Sequence, residues 1–331
     1  MRLTEADQGG VCEQLADYIT MLQVRNFPFT SLLPKESKPN QGLVQFQVSE
    51  YPDVDQQGVL EGLDVEEFDS VERDMLQARR QRFWWNPAVT TEVDENVVAG
   101  LAGGEMVSQK KAALILVKTK LEMRCLSNLD STPSKPKVGQ TFRGMFSWQQ
   151  VAAQTDLPVP VAWRAPTASV YTSTLALLTE TAFGDLMESQ FTARQSKADL
   201  LGICGIKLKR RLSSFGSYMD DVTNTLQVRT VTRAQDNKTL INVVEHLTLD
   251  SGDVDLMVSS WLARDIKGAT TDYSSRSGLF VDTNLLALAY TRLPRIRDLE
   301  DRGGGPRAIC DLMASLINKN PKGHAAALIS S

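Results

Sequence analysis

The clearest pattern of apolar and polar positions runs from Glu95 to Leu126, ENVVAGLAGGEMVSQKKAALILVKTKLEMRCL, thirty-two residues without a proline. Val107, Leu114, Val117, Leu121 and Cys125 recur there at spacings of seven, three, four and four, while Lys110, Lys111, Lys118 and Lys120 fall elsewhere on the helical wheel. That spacing predicts an amphipathic helix with one buried stripe. Helical throughout, the segment spans about 48 Å at 1.5 Å per residue. Gly100, Gly103 and Gly104 lower helix propensity near its start and permit a bend or a close backbone approach. Something broad and apolar must lie beneath such a helix.

Upstream, Val11, Leu15, Ile19 and Leu22 make a short amphipathic pattern, followed by NFPFTSLLPKESKPNQG with Pro28, Pro34 and Pro39. Proline interrupts helices and biases its predecessor to extended backbone, so this stretch reads as an arm laid over other structure. Its Phe27, Phe29, Leu32 and Leu33 need a groove, which a neighbouring copy can supply. In LVQFQVSE, Val44, Phe46 and Val48 alternate with Gln45 and Gln47, the period of a half-buried strand. Residues 61 to 74, EGLDVEEFDSVERD, then hold seven acids and one arginine, and Arg79, Arg80 and Arg82 follow. One reading is a solvated face; the other is an acidic edge, around Glu66, Glu67 and Asp69, that pairs with a basic patch on another copy. RFWWNPAVTTEVDE returns, extended and aromatic, to the long helix, so residues 41 to 92 read as an out-and-back excursion with little core of its own.

Beyond the helix, NLDSTPSKPKVGQTFRGMFSW and LPVPVAWRAPTASV are loops punctuated by proline and glycine. Residues 175 to 191 read as helix, with Thr174 or Thr179 as its cap and Leu178, Phe183, Leu186, Met187 and Phe191 on its apolar side. DLLGICGIKLKRRLSSF starts apolar and ends basic. From 225 the pattern predicts three strands with turns at Asp236-Asn237 and Ser251-Gly252, and GLFVDTNLLALAYTRL predicts another strand. After a glycine-rich loop at 303–305 comes a last extended or helical segment.

With 331 residues, 42% hydrophobic, the chain can bury a sizeable core. No apolar run approaches the roughly 20 residues that cross a bilayer, and no basic-then-apolar leader opens the chain, which predicts a protein that neither spans a membrane nor is secreted. Cys12, Cys125, Cys204 and Cys310 form no paired motif and read as reduced, buried thiols. A net charge of −4 gives no global pull towards nucleic acid. No P-loop, G-x-S-x-G, H-E-x-x-H or C-x-x-C occurs, and no cofactor or metal is expected. His246 and His324 are the only histidines. A Cys310/His324 nucleophile and base is the one enzymatic alternative, with nothing in the sequence to position the two together. Gly303 to Gly305 read as a tight turn rather than an anion nest. Lys207, Lys209, Arg210 and Arg211 read as a solvated or subunit-contact element rather than a nucleic-acid site.

The order of NFPFTSLLPK, a charged extended excursion, GEMVSQKKAALILVKTKLEMRCLSN and GQTFRGMFSW, with INVVEHLTLDSGDVDLMVSSWL and RDLEDRGGGPRAICDLMASLINKNPKGHAAAL after them, resembles the major capsid proteins of tailed bacteriophages with the Hong Kong 97-type fold. The resemblance covers about residues 20 to 331 and implies an α+β fold. In it residues 1–40 are an N-terminal arm, 41–92 an extended loop over a neighbouring subunit, and 93–200 a peripheral domain with its spine helix at 95–126. Residues 201–300 form mainly the axial domain, and 301–331 a closing segment returning to the periphery. The implied function is mechanical: hexamers and pentamers close into an icosahedral shell around double-stranded DNA held without sequence-specific binding, in a virion assembled in the host cytoplasm. Phe27, Phe29, Leu32, Glu66, Glu67, Asp69, Arg79, Arg80 and Arg82 are the inter-subunit contact candidates. A shell protein of a cellular nanocompartment shares the same features.

Two departures from relatives shape further expectations. No lysine lies between Leu43 and Arg82, so the loop lysine that some relatives join covalently to a neighbour is missing, which implies non-covalent stabilisation aided by a cement or decoration protein. Only about 25 residues precede the arm motif, which implies a separate scaffolding protein; a portal protein completes the expected partners. Deleting residues 1–40 is expected to leave soluble subunits that form no stable shells.

Overall fold

A computed structural model describes residues 27–37, 43–49, 51, 61, 70–90, 105–150, 154–220, 225–228, 245–264 and 273–329, with backbone alone for 216–220 and 225–228. Ahead of the long helix the chain makes a one-turn helix α1 (Pro28–Leu32) and strands β1 (Lys35–Ser37), β2 (Leu43–Ser49), β3 (Arg73–Arg79) and β4 (Gln81–Trp85). The helix α2 (Glu105–Cys125) follows, about 32 Å long at 1.5 Å per residue. The portion expected over 95–104, like Glu66, Glu67, Asp69 and the Asp236-Asn237 turn, lies outside the described residues.

The buried line on α2 is Met106, Ala113, Val117, Leu121 and Cys125. Val107, placed in that line by its spacing, is 38% exposed. Met106 takes the buried position one residue earlier, against Val89, Ala308 and Ile296, and the next residue points about 100° further round the helix.

What lies beneath α2 is a four-stranded sheet in the order β1, β12 (Leu286–Leu299), β13 (Arg307–Asn318), β4. Along β13 the even positions Cys310, Leu312, Ala314 and Leu316 join the core shared with Val117 and Leu121, as a period of two requires. The closing segment is therefore extended, and GLFVDTNLLALAYTRL holds two strands, β11 (Gly278–Val281) and β12, rather than one. Pro294 sits in β12 where its register with β13 slips between Arg292 and Arg295, a site where a missing N–H does least harm.

The second sheet runs β5 (Val170–Tyr171), β14 (Ala325–Ala327), β11, β6 (Leu200–Cys204), β10 (Gly252–Val258), β9 (His246–Leu249). Its inner strand β6 is buried on both faces, which explains the unbroken apolar reading of LLGIC. Leu201, Ile203, Leu279 and Val281 face the core under α2 together with Phe142, Met145 and Phe146 of α3 (Met145–Gln149) and its approach. Leu200, Cys204, Phe280 and Ala325 face α4 (Glu180–Arg194) and α5 (Ile206–Ser213). Thr179 caps α4, its Oγ1 accepting from the Ala182 N–H at 3.2 Å, as its position predicts. A ribbon of β7 (Ser217–Asp220) and β8 (Thr225–Val228) and the short α6 (Tyr273–Arg276) complete the described elements.

Each sheet draws on residues from either side of positions 200 and 300. Helix α4 packs on the six-stranded sheet, and β12 pairs into the four-stranded one. The 41–92 excursion also contributes to the core: Val48, Leu76, Ala78 and Phe83 are each buried.

Gly252 closes the β9–β10 hairpin, pairing with Leu249. Its φ is +143°, and a Cβ there would stand 2.2 Å from the Ala198 carbonyl oxygen, so only glycine fits. Gly252→Ala should cost about 1–3 kcal/mol in chemical denaturation; an unchanged midpoint would contradict this reading of the turn.

A candidate subunit-contact surface

The arm is anchored from below by an acid. Glu122 of α2 is fully buried, and its carboxylate accepts the backbone N–H groups of Phe29 and Thr30, each at 2.9 Å. These are two of the four donors that a helix start leaves free, so Glu122 caps α1 from another element. Burial pushes its carboxyl above the ordinary range, and the hydrogen bonds from Thr30 and Phe29 pull it part of the way back. Phe29 is 0% exposed and Leu33 3%, both inside the core of their own chain. The expectation that a neighbouring copy supplies the groove for Phe29 is thus corrected: α2 supplies it. Phe27 is half-buried, and Leu32, 49% exposed, is the arm residue that faces outwards.

The candidate arginines Arg79 and Arg82 form ion pairs within the chain. Arg79 makes a two-pronged pair with Asp156, at 2.6 and 2.9 Å, and holds that carboxyl below its ordinary value. The Ser131 hydroxyl donates to the same carboxylate at 2.8 Å. Asp130 beside it accepts from Arg143 and from the Thr155 and Asp156 N–H groups; burial pushes its carboxyl up, but those donors outweigh it and the net shift is down. This network ties the loops after α2 to the root of β3. Arg80 is half-buried beside it.

Arg82 belongs to a different constellation. Asp311 is fully buried near the middle of β13 and receives Arg82 at 2.9 Å, Arg292 at 2.7 Å and Arg295 at 3.1 Å. Burial raises its carboxyl, but the guanidiniums of Arg295, Arg292 and Arg82 overcome that and hold it below the ordinary range. The register explains the gathering: Arg82 and Arg292 both stand opposite Met313, Trp84 and Arg295 opposite Asp311, and Arg297 opposite Ile309. All lie on the sheet face away from α2. Part of that face is covered where Val44 and Phe46 of β2 pack on Ala287, Ala289 and Ile317. The arginine portion is open, with Trp84 52% and Leu293 68% exposed.

The alternative chemistry is absorbed by structure. His324 is buried, its Nδ1 accepting the Asp282 N–H at 3.2 Å and its Nε2 facing Asn318 Oδ1 at 3.1 Å, so both ring nitrogens are engaged away from Cys310. Burial raises the Cys310 thiol, the opposite of what a nucleophile needs. His246 is an exposed strand residue paired with Asp255 at 2.7 Å. The N–H groups of Gly303, Gly304 and Gly305 all donate to the Asp301 carboxylate, which fills the nest from within. In the basic helix α5, Arg211 donates to the carbonyls of Leu178 and Ala176, and Lys209 to that of Leu256. Among the described residues no cluster of metal-ligating side chains occurs, and no helix is long and apolar enough to cross a membrane.

A long helix laid across a four-stranded sheet, a six-stranded sheet sharing its core and a two-stranded ribbon packed on that core define a class of protein. The whole fold is similar to the capsid of Myoviridae phage XM1 (TM-score 0.60, 11% identity, 97% of this chain and 100% of that one). It is also similar to the Cyanophage Pam1 capsid (0.60, 10% identity, 99% and 98%) and to the capsid of the native GTA particle (0.58, 14% identity, 98% and 97%). The architecture is thus that of a phage capsid subunit, the Hong Kong 97-type fold anticipated from the order of motifs. A search of curated proteins finds no match. The family model described as SU10 major capsid protein matches residues 2–328, and the chain belongs to that family. It is a structural protein of the virion, the major capsid protein of a tailed phage, and the family favours this over the nanocompartment.

Proposed function

We propose that copies of this chain assemble as hexamers and pentamers into an icosahedral shell that encloses double-stranded DNA without reading its sequence, in the host cytoplasm. The observation that carries this reading is the β2–β3 ribbon. Among the described residues it pairs only with itself, from Leu43↔Arg79 at its root to Ser49↔Arg73 at its far end. Beyond the root it exposes Tyr51 (88%), Val71 (43%) and Met75 (52%). A two-stranded ribbon is marginal alone, and such apolar exposure suits a surface that another subunit covers. Rings need heterologous contacts that close by rotation, and a ribbon with one face packed on its own core and apolar residues exposed beyond it is suited to that.

In this reading the four-stranded sheet with α2 is the peripheral domain, and the six-stranded sheet with α4 and α5 is the axial one. A scaffolding protein directs closure, a portal protein occupies one vertex, and a cement or decoration protein reinforces a shell that carries no covalent cross-links. Catalysis has no part in it. Electron microscopy of cells co-expressing the chain with proteins encoded beside its gene should show closed shells with five-fold vertices. Aggregates or open sheets alone, under every combination, would contradict the proposal.

A further inference from the structure

The six-stranded sheet carries opposite charges on its two faces at the β9–β10 end. Along β10, Val254 and Leu256 pack with Leu208 and Leu212 of α5, so strand alternation turns Asp253, Asp255 and Met257 to the other face. His246 of β9, opposite Asp255 in the register, joins them there. Its Nδ1 lies 2.7 Å from the Asp255 carboxylate and its Nε2 3.9 Å from that of Asp253. Asp199 falls beside Asp253, because Leu200 stands beside Val254 in the parallel pairing of β6 with β10. Among the described residues no strand pairs with the outer side of β9, and the face is open, with Asp255 73%, His246 53% and Met257 38% exposed. Glu245 and Asp250, both exposed, flank β9. On the opposite side of the sheet α5 carries Lys207, Lys209, Arg210 and Arg211 and no acid. Lys207 and Arg210, three residues apart on one line of the helix, are exposed.

Charge complementarity selects what covers the acidic face. Two copies meeting through the same face would set carboxylate against carboxylate or cation against cation, whereas the acidic face of one copy against α5 of the next pairs opposite charges. Such a contact is heterologous and uses each of the two faces once per copy, the arrangement that closes a ring. We propose that the face of Asp199, Asp253 and Asp255 in one copy seats α5 of a second copy, and that His246 sets the strength of this contact with pH. The proposal rests on the shell-building reading above and names a contact within its rings together with its control. Asp255, through its hydrogen bond, raises the His246 pKa, and the charges of Asp253 and Asp199 add to this, so the free subunit holds the imidazolium more readily than an ordinary histidine does. A cationic helix laid on the same face opposes that positive charge, so forming the contact releases the proton. The contact is therefore stronger above the imidazole range and weaker below it.

The test measures the protein concentration that the full chain needs for ring formation. Asp253→Lys/Asp255→Lys and Lys207→Glu/Arg210→Glu should each raise it about tenfold, more at low salt than at high, and a chain carrying all four changes should recover. Wild type should need several-fold more protein at about pH 6 than at about pH 8, whereas His246→Gln should show no such shift. As a measurement independent of subunit stability, Asp255→Cys combined with Lys207→Cys or with Arg210→Cys should give disulfide-linked chains in assembled material under oxidation. The paired positions lie on opposite faces of one sheet, so a bridge between them joins two copies. Ring formation at the wild-type concentration by both reversal pairs, or no inter-chain bridge from either cysteine pair, would overturn the contact while leaving the shell function standing. A His246→Gln curve that follows wild type with pH would overturn the role given to the histidine. A wild-type chain that forms no rings or shells would overturn both the contact and the shell reading.

Discussion

Phe29→Ala should destabilise the isolated subunit by about 3–5 kcal/mol, a core-cavity effect rather than an assembly effect. The ring is 0% exposed in the core formed by α2 and the four-stranded sheet, and its own N–H is held by Glu122. Glu122→Ala acts on the same anchor, leaving the N–H groups of Phe29 and Thr30 without their buried acceptor, each at about 1–3 kcal/mol. The expected effect of deleting residues 1–40 changes with this. That deletion removes Phe29, Leu33 and β1, which pairs parallel to β12 through Lys35↔Leu288, so it strikes the fold before it strikes the shell. Removing residues 1–26 alone isolates the arm's role in assembly. Urea denaturation of the two truncations and of Phe29→Ala separates the cases: a Phe29→Ala midpoint equal to wild type would show that the arm is not part of the core.

Acidification should destabilise the subunit from about pH 6.5 downwards, ahead of the range where carboxylates titrate. Burial, aided by Arg194 and opposed by Asp282, lowers the His324 pKa to about 3. The unfolded chain binds the imidazole proton from about pH 6.5, while the folded chain resists it until about pH 3, so stability falls as pH falls across that window. Between pH 6.5 and 4 the loss attributable to this one group is about 3 kcal/mol. Asp311, Asp130 and Asp156, held below their ordinary values, add losses in the same direction at lower pH. Glu122, shifted upwards, opposes them, since stability from that group falls as pH rises through its range. Melting temperatures from pH 7 to 4 should therefore drop more steeply for wild type than for His324→Gln. Parallel curves would place the acid sensitivity elsewhere.

The parts of this fold legible in the sequence are those where one period dominates. The stripe through Val117, Leu121 and Cys125 marks α2, and the alternation of Val44, Phe46 and Val48 marks β2, because each element buries one face only. The choice of what covers an apolar segment is not local information: Phe29 reads the same whether its groove belongs to its own α2 or to another copy. The contact surface was half legible for the same reason. The acidic run and Arg82 stand out in the chain, whereas Arg292, Arg295 and Arg297 join Arg82 only through the register of β12 and β4 on β13. A weak signal was present in Asp311 and Glu122, single acids within the apolar strings RAICDLMASL and KLEMRC, and an acid in such a place needs buried partners. The two sheets interleave along the chain because strands return: β12 and β13 close a sheet that β1 and β4 begin some two hundred residues earlier.

The claim that joins these observations is that the chain is a subunit of a closed shell, and its most direct test is mass photometry of the purified chain with and without proteins encoded beside its gene. From a subunit of 36.6 kDa the account predicts rings of about 183 or about 220 kDa, for five or six copies, or closed shells far heavier than either. A monomer of 36.6 kDa, or a compact dimer under every condition, would contradict it.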